Sequence, residues 1–245
     1  MAETKQFWIG GYHAVMSATA NPRRKIDKII TSSEGKAKDF LDKGIKVELV
    51  KKKQIDKLFT NLDFNHQDIA AKIYPLKEPP LKECIKQNNY KKILMLDGLT
   101  DQRNIGSIIR SSVAFDIGCI IIKDRLFKDN SPFLYKMSAG AIENINILPV
   151  VNLSNAINTL KENSYWIYGL DGKSNKSLQQ NNIVNDEKFC LIFGSEEKGI
   201  SQNLIKKCDD TFKINISNKI ESLNVSNAVT AVLAILNIKK NPALI

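Results

Sequence analysis

Histidine and cysteine are scarce in this chain, and their scarcity removes several chemistries at once. Of 245 residues only two are histidine, His13 and His66, and four are cysteine. Cys84, Cys119, Cys190 and Cys208 lie far apart, with no C-x-x-C pair and no histidine cluster beside them, so no metal site is expected. Cys119 and Cys190 stand inside the apolar runs GCIII and KFCLIF, where a reduced thiol packs as a small hydrophobe. That usage suits a reducing, cytoplasmic compartment without disulfides. A basic leader followed by an apolar stretch is missing, and no window holds the roughly 20 apolar residues of a membrane span. The G-x-G-x-x-G and Walker patterns are missing too, which disfavours a nucleotide di- or triphosphate as ligand. No internal repeat or low-complexity tract stands out.

What is present points to a folded, basic protein. Apolar residues make up 43% of the chain, enough for one large domain or two modest ones with their own cores. The net charge of +10 is unevenly placed. Residues 1 to 92 carry 19 Lys and Arg against 11 Asp and Glu, while residues 93 to 245 carry 17 against 15. A basic first third favours a polyanion such as RNA or DNA, although a Lys-rich solvated surface produces the same count.

Residues 26 to 74 read as a small alternating unit. It comprises strand IDKIIT, helix GKAKDFLDKG, strand IKVELV, a short helix from Lys53 to Phe59 and strand QDIAAKIY, with His66 expected at the surface. Pro75, Pro79 and Pro80 then mark a boundary, and the stretch to residue 90 reads as a linker with at most one helical turn. From Lys91 strands and helices alternate regularly. The strands are KILML, CIIIK, NILPV, YWIYGL, FCLIF and TFKINI; the helices are Asn104 to Phe115, Pro132 to Ala141, Asn155 to Glu162, Ser201 to Lys207 and a last one from about Val225. Such alternation calls for a parallel sheet covered on both faces, with ligands gathering outside the carboxyl ends of the strands.

Three loops at those ends carry unusual chemistry. In LDGLTDQRNIGSIIRSS, Asn104 is placed to cap a helix whose apolar face is Ile105, Ile108, Ile109 and Val113. Arg110 projects from the other side and leans back toward the strand ends. The bland reading of Arg110 is a solvated helix face. In IFGSEEKGIS, Gly194 directly follows a buried strand, Glu196 sets a carboxylate at the crevice, and Gly199 precedes the next helix. In the third loop Ser222, Asn224 and Ser226 alternate with Leu223 and Val225 at the start of an apolar helix. Local chemistry alone reads that alternation as N-capping.

Taken together, N104-I-G-S-I-I-R110, F193-G-S-E196-E-K-G199 and S222-L-N-V-S226 resemble, in this order and spacing, the three motifs of the SpoU family of RNA ribose 2′-O-methyltransferases. The opening F7-W-I-G-G-Y-H-A-V15 resembles the start of its 23S ribosomal RNA guanosine branch, and S138-A-G-A-I-E143 resembles the segment between the first two motifs. The resemblance implies an α/β fold with a trefoil-knotted, SPOUT-type parallel-sheet methyltransferase domain at 91–245. An L30e-like RNA-binding domain at 1–76 and a linker at 77–90 precede it. It further implies S-adenosylmethionine as cofactor, ribosomal RNA as substrate, and a homodimer. Gly194, Ile214 and Leu223 match cofactor-contacting positions, with Gly199 beside them. Asn104, Arg110, Glu196, Ser222 and Asn224 match positions implicated in catalysis or in shaping the site.

The chain departs from the family pattern at three places. Gln102 stands where Pro is usual, and Asn215 and Asn218 stand where Pro and Gly are usual. Asn tolerates left-handed backbone, so Asn218 is expected to stand in for Gly. Two other functions stay open: 2′-O-methylation of a transfer RNA, and a non-catalytic RNA-binding factor in ribosome assembly.

Overall fold

The computed structural model describes residues 6–60, 65–88, 90–178 and 188–240. They separate into two compact units: Lys128–Asn144 joins the residues up to Lys77, and the second unit holds Glu78–Phe127 and the chain from Ile145.

In the first unit a four-stranded sheet has the order β1 (Phe7–Gly10), β4 (Ile69–Ile73), β2 (Ile26–Thr31) and β3 (Glu48–Leu49). β4 runs antiparallel to β1 and β2 and is central, so its Ile69, Ala70, Ala71 and Ile73 are all fully buried. The helices are α1 (Tyr12–Ala20), α2 (Glu34–Leu41) and α3 (Lys52–Asp56), the last continued by a 3-10 turn to Phe59. Ser33 starts α2, its hydroxyl accepting from the Lys36 amide at 3.4 Å.

Two expectations change here, and β1 and α1 are elements added before them. β1 and α1 were not legible by alternation, because FWIG and YHAVMSATA offer apolar or small residues on nearly every side rather than a stripe. The strand expected over IKVELV shrinks to Glu48–Leu49, an exposed edge pairing only with Ile30 and Thr31. His66 is buried rather than at the surface. Its Nε2 lies 2.8 Å from Asp56 Oδ1, and its Nδ1 accepts the Asp68 amide at 3.0 Å, so burial leaves neither ring nitrogen unpaired.

The second unit opens with α4 (Leu81–Asn88), two turns of helix within the stretch read as a linker. Cys84 and Ile85 bury one face of α4 in the core beside the sheet, which is why it forms despite the neighbouring prolines. Then come β5 (Lys92–Asp97), α5 (Gln102–Ala114) and β6 (Cys119–Lys123). Between β6 and β7 (Asn146–Val150) the chain makes the excursion 128–144, which includes α6 (Pro132–Ser138). After β7 follow α7 (Leu153–Glu162), β8 (Trp166–Leu170), β9 (Phe189–Gly194), α8 (Gln202–Ile205), β10 (Asp210–Phe212) and α9 (Val225–Lys240).

All six strands are parallel, in the order β10-β8-β9-β5-β6-β7. Parity explains their composition: Ile93 and Met95 face one side with Cys84, Cys119, Ile121 and Cys190, while Leu94 and Leu96 alternate to the other. Both sides are dry, so the strands read as continuous apolar runs. β5 and β9 are neighbours, with Asp97 opposite Gly194. The loops after these two strands therefore start side by side.

The excursion belongs to the first unit and closes on a buried ion pair. Arg24 Nη2 lies 2.9 Å from Glu143 Oε1, with side-chain exposures of 0% and 1%. Asn21 Nδ2 donates to the same carboxylate at 2.7 Å, and Arg24 Nη1 donates to the Tyr74 carbonyl at 2.6 Å, so the pair is hydrogen-bonded as well as neutralised. α6 ends at Ser138, short of the expected Ala141, because Ala139 and Gly140 turn left-handed at φ 48° and 87°. A Cβ on Gly140 would meet Ser17 Oγ at 2.2 Å, so only glycine allows this turn to lie against α1.

Candidate functional site

The site is built at the carboxyl ends of β5 and β9 and completed by the start of α9, all within the second unit. Asp101, not Asn104, caps α5: its Oδ1 accepts the Arg103 amide at 2.8 Å. The helix therefore begins at Gln102, and Asn104 sits inside its first turn with its side chain free for long-range work. The expectation that Asn104 caps is corrected by the shorter-range competitor three residues earlier.

Asn104, Glu196 and Asn224 converge although 92 and 120 positions separate them in sequence. Asn224 Nδ2 donates to Glu196 Oε1 at 2.6 Å and to Asn104 Oδ1 at 3.1 Å; Asn104 Nδ2 reaches the same Glu196 oxygen at 3.4 Å. Glu196 Oε1 also accepts the Val225 amide at 3.2 Å. Asn224 Oδ1 faces the other way and accepts from the Ser226 amide at 3.0 Å, the Ser226 hydroxyl at 2.6 Å and the Asn227 amide at 3.4 Å. The N-capping reading of the third loop thus holds for Asn224. A carboxylate at the first turn of α9 also suits the helix dipole.

Gly194 makes the loop possible. A Cβ there would stand 1.9 Å from the Gly199 carbonyl carbon and 2.2 Å from the Ile200 nitrogen. Gly199 adopts φ 64° and its amide donates to Ser195 O at 2.8 Å, which folds the loop onto the end of β9. Asp97 Oδ2 accepts the Ser201 amide at 2.8 Å and ties the same loop to β5.

Arg110 is exposed on α5, and among the described residues no side chain or carbonyl bonds its guanidinium. Ser111, one residue on, meets Thr230 of α9 at 2.7 Å, and Thr230 in turn donates to Ser226 O at 2.9 Å. The sequence did not single out Asp97, Ser111, Ser195, Val225 or Thr230, whose parts depend on partners remote in sequence. Ser222 is exposed and stands outside the hydrogen-bonded triangle.

The third loop supplies an apolar wall. Ile214 and Leu223 are half-buried, and Ile216 and Ile220 between them are 37% and 52% exposed. Asn215 Nδ2 donates to Ser177 Oγ at 3.1 Å. Asn218 does not adopt positive φ, so it does not stand in for a left-handed glycine; the turn instead closes through Ser217, whose carbonyl accepts the Ile220 amide. Among the described residues no cluster of three His, Cys, Asp or Glu could hold a metal, and no helix is long and apolar enough to cross a membrane.

A parallel sheet with three loops joined at its carboxyl edge, in a chain that also carries a separate small α/β unit, defines a SPOUT-type fold. The chain belongs to the SpoU rRNA Methylase family, whose model matches residues 91–234; residues 8–79 match the model for RNA 2′-O ribose methyltransferase substrate binding. It is 30% identical to a 23S rRNA (guanosine-2′-O-)-methyltransferase of Xylella fastidiosa (strain 9a5c), over 94% of this chain and 95% of that one. A protein of Staphylococcus aureus (strain COL) named for the TrmH family of tRNA/rRNA methyltransferases is 32% identical, over 92% and 93%. The SpoU methyltransferase AviRb from Streptomyces viridochromogenes, solved with the cofactor AdoMet, shares the fold at a TM-score of 0.80 and 18% identity, over 96% and 90%.

Proposed function

We propose that this chain transfers a methyl group from S-adenosylmethionine to the ribose 2′-hydroxyl of a guanosine in 23S ribosomal RNA, acting as a cytoplasmic homodimer without metal. The observation that carries this is the convergence of Asn104 and Asn224 on one carboxylate oxygen of Glu196, with Arg110, unbonded among the described residues, on the helix that supplies Asn104. Ile214, Leu223, Gly194 and Gly199 would hold the cofactor. When bound, it supplies an electrophilic methyl group on a sulfonium.

The protein's share is placement and charge. The 2′ oxygen must lie in line with the methyl group, and negative charge must be met as its proton leaves. A guanidinium is not deprotonated in proteins, so a free-base role for Arg110 is set aside. As a charged donor it would stabilise the developing alkoxide by about 3 to 4 kcal/mol and grip an RNA phosphate as well. The charged role is therefore assigned, with an RNA phosphate or water receiving the proton. Asn104 orients the ribose or Arg110, while Glu196 and Asn224 hold the loops; Ser222, outside that triangle, holds none of them.

A second reading takes transfer RNA as substrate; the name of the Staphylococcus relative includes both RNA classes. Mapping 2′-O-methyl groups in ribosomal and transfer RNA with and without this protein separates the two: a position lost from 23S RNA supports the first, one lost only from transfer RNA the second. If titration detects no S-adenosylmethionine binding and no labelled methyl group reaches RNA, the chain is a non-catalytic RNA-binding factor.

A further inference from the structure

In the first unit two lysines approach one turn, at Gly11 and Gln67, and among the described residues neither has an acidic partner. Gly11 adopts φ 108°, and a Cβ there would meet Lys136 Cδ at 3.3 Å, Lys136 Nζ at 3.4 Å and Gln67 Oε1 at 3.5 Å. Lys136 therefore lies across the bare backbone between β1 and α1. Lys36 Nζ donates to the carbonyl of Gln67, the same residue whose side chain sits beside Lys136. Gln67 and Asp68 are successive left-handed residues, at φ 55° and 57°, which turns the Gln67 carbonyl toward α2 and its side chain toward α1. Gln67 Oε1 accepts the Tyr12 amide at 3.0 Å, so that donor at the start of α1 is engaged.

The carboxylates nearby are engaged elsewhere. Asp39 accepts the Tyr12 hydroxyl at 3.0 Å, and Asp68 pairs with Lys52 at 3.5 Å. Among the described residues neither Lys36 nor Lys136 has an ion-pair partner. Partial burial, and secondly the charge of Lys36, lower the Lys136 pKa from its ordinary value. Both ammonium groups carry positive charge beside this turn, so an anion seated there would be attracted by each.

We infer that Lys36 and Lys136, gathered around Gly11 and Gln67, form a seat for a backbone phosphate of the substrate RNA. This rests on the reading of the chain as an RNA-modifying enzyme and adds where, on the first unit, the RNA is gripped. Two ammonium groups on flexible stems present point charges rather than a planar fork, so the seat holds phosphate without reading base sequence.

The test uses the full chain and 23S ribosomal RNA transcribed in vitro from the source organism's gene, titrated across a series of salt concentrations. K36Q and K136Q should each reduce the slope of log affinity against log salt by about 0.7 to 0.9, while K136R keeps the parent slope. Unchanged slopes in both glutamine variants overturn the seat, as does K136R behaving like K136Q, which would mark a packing role. Acylation of lysines on the unmutated chain gives a second reading independent of any variant's folding: bound RNA should protect Lys36 and Lys136, and equal labelling with and without RNA overturns the proposal. A chain that binds the RNA but no S-adenosylmethionine leaves the seat standing and removes the methyl-transfer reading. One that binds S-adenosylmethionine but no RNA does the reverse.

Discussion

Glu196 Oε1 lies 2.6 Å from Asn224 Nδ2, so a carboxylate in the loop after β9 holds the residue that starts α9. The same oxygen accepts the Val225 amide, making it part of the cap of that helix. Glu196→Ala should cost about 1 to 2 kcal/mol, the usual loss for a helix cap. That corresponds to a fall in melting temperature of roughly 2 to 8 °C. Methyl transfer should fall further than stability does, because Asn104 and Asn224 lose their shared acceptor. A thermal melt beside a single-turnover assay checks this; full turnover in a destabilised variant would confine Glu196 to folding.

Arg110→Lys should keep most RNA affinity and lose about 10² to 10³-fold in turnover, the effect of one oxyanion donor. Lysine retains the charge but not the planar pair of donors. Tritium transfer measured at saturating RNA, with RNA affinity measured separately, tests it, and near-normal turnover sinks the charged-donor role.

Gly194 and Gly199 should respond differently to alanine. At Gly199 nothing lies within 4 Å of an added Cβ, so the cost is that of left-handed backbone alone, about 1 to 2 kcal/mol. At Gly194 the added atom would collide with backbone of Gly199 and Ile200, which cannot move without reopening the loop. Gly194→Ala should therefore fail to bind S-adenosylmethionine or fail to fold, while Gly199→Ala folds. Equal melting curves for the two variants would contradict the crossing of the two segments.

Arg24→Met should cost about 3 to 5 kcal/mol, because it strands the Glu143 carboxylate at 1% exposure. Replacing both residues by methionine should cost less than the single change, since the buried charge is then gone. Urea unfolding of the two variants gives the comparison. A double variant weaker than the single one refutes it.

Cys208 carries a thiol pushed up to about 11, first by burial and then by Asp209, against a lowering by Lys161. A raised pKa means that the native state holds the proton the unfolded chain releases. The stability this contributes is complete below the ordinary thiol value of 9.0 and is lost as pH rises through about 11. Unfolding midpoints should fall across that window in the parent and fall less in Cys208→Ala. Thiol reagents at pH 8 should label the native chain slowly at all four cysteines, three of which are fully buried.

Much of the second unit is legible in the sequence. KILML, CIIIK and FCLIF read as strands because both of their faces are buried, and α5 read as a helix because Ile105, Ile108 and Ile109 recur on one side. The first unit was legible only where its pattern was one-sided: β2 matches its expected span, whereas β1 and α1 have no stripe to read. The bounds of α5 and α6 shifted by a few residues because their ends are set by competing caps and left-handed turns, such as Asp101 before Asn104 and Ala139 after Ser138.

By itself the sequence determined the apolar runs that must become a buried parallel sheet, the three polar loops at its carboxyl edge, and the basic first third. Those properties follow from side-chain chemistry and spacing along a few residues. Only the tertiary structure decided that β9 lies between β8 and β5. That order sets Gly194 opposite Asp97 and brings Glu196 onto Asn104 and Asn224. It alone buried His66 and joined Lys128–Asn144 to the first unit through Arg24 and Glu143. The reason is physical: spacing along a chain says which way a side chain faces, whereas a partner a hundred positions away is chosen by the order in which strands pair.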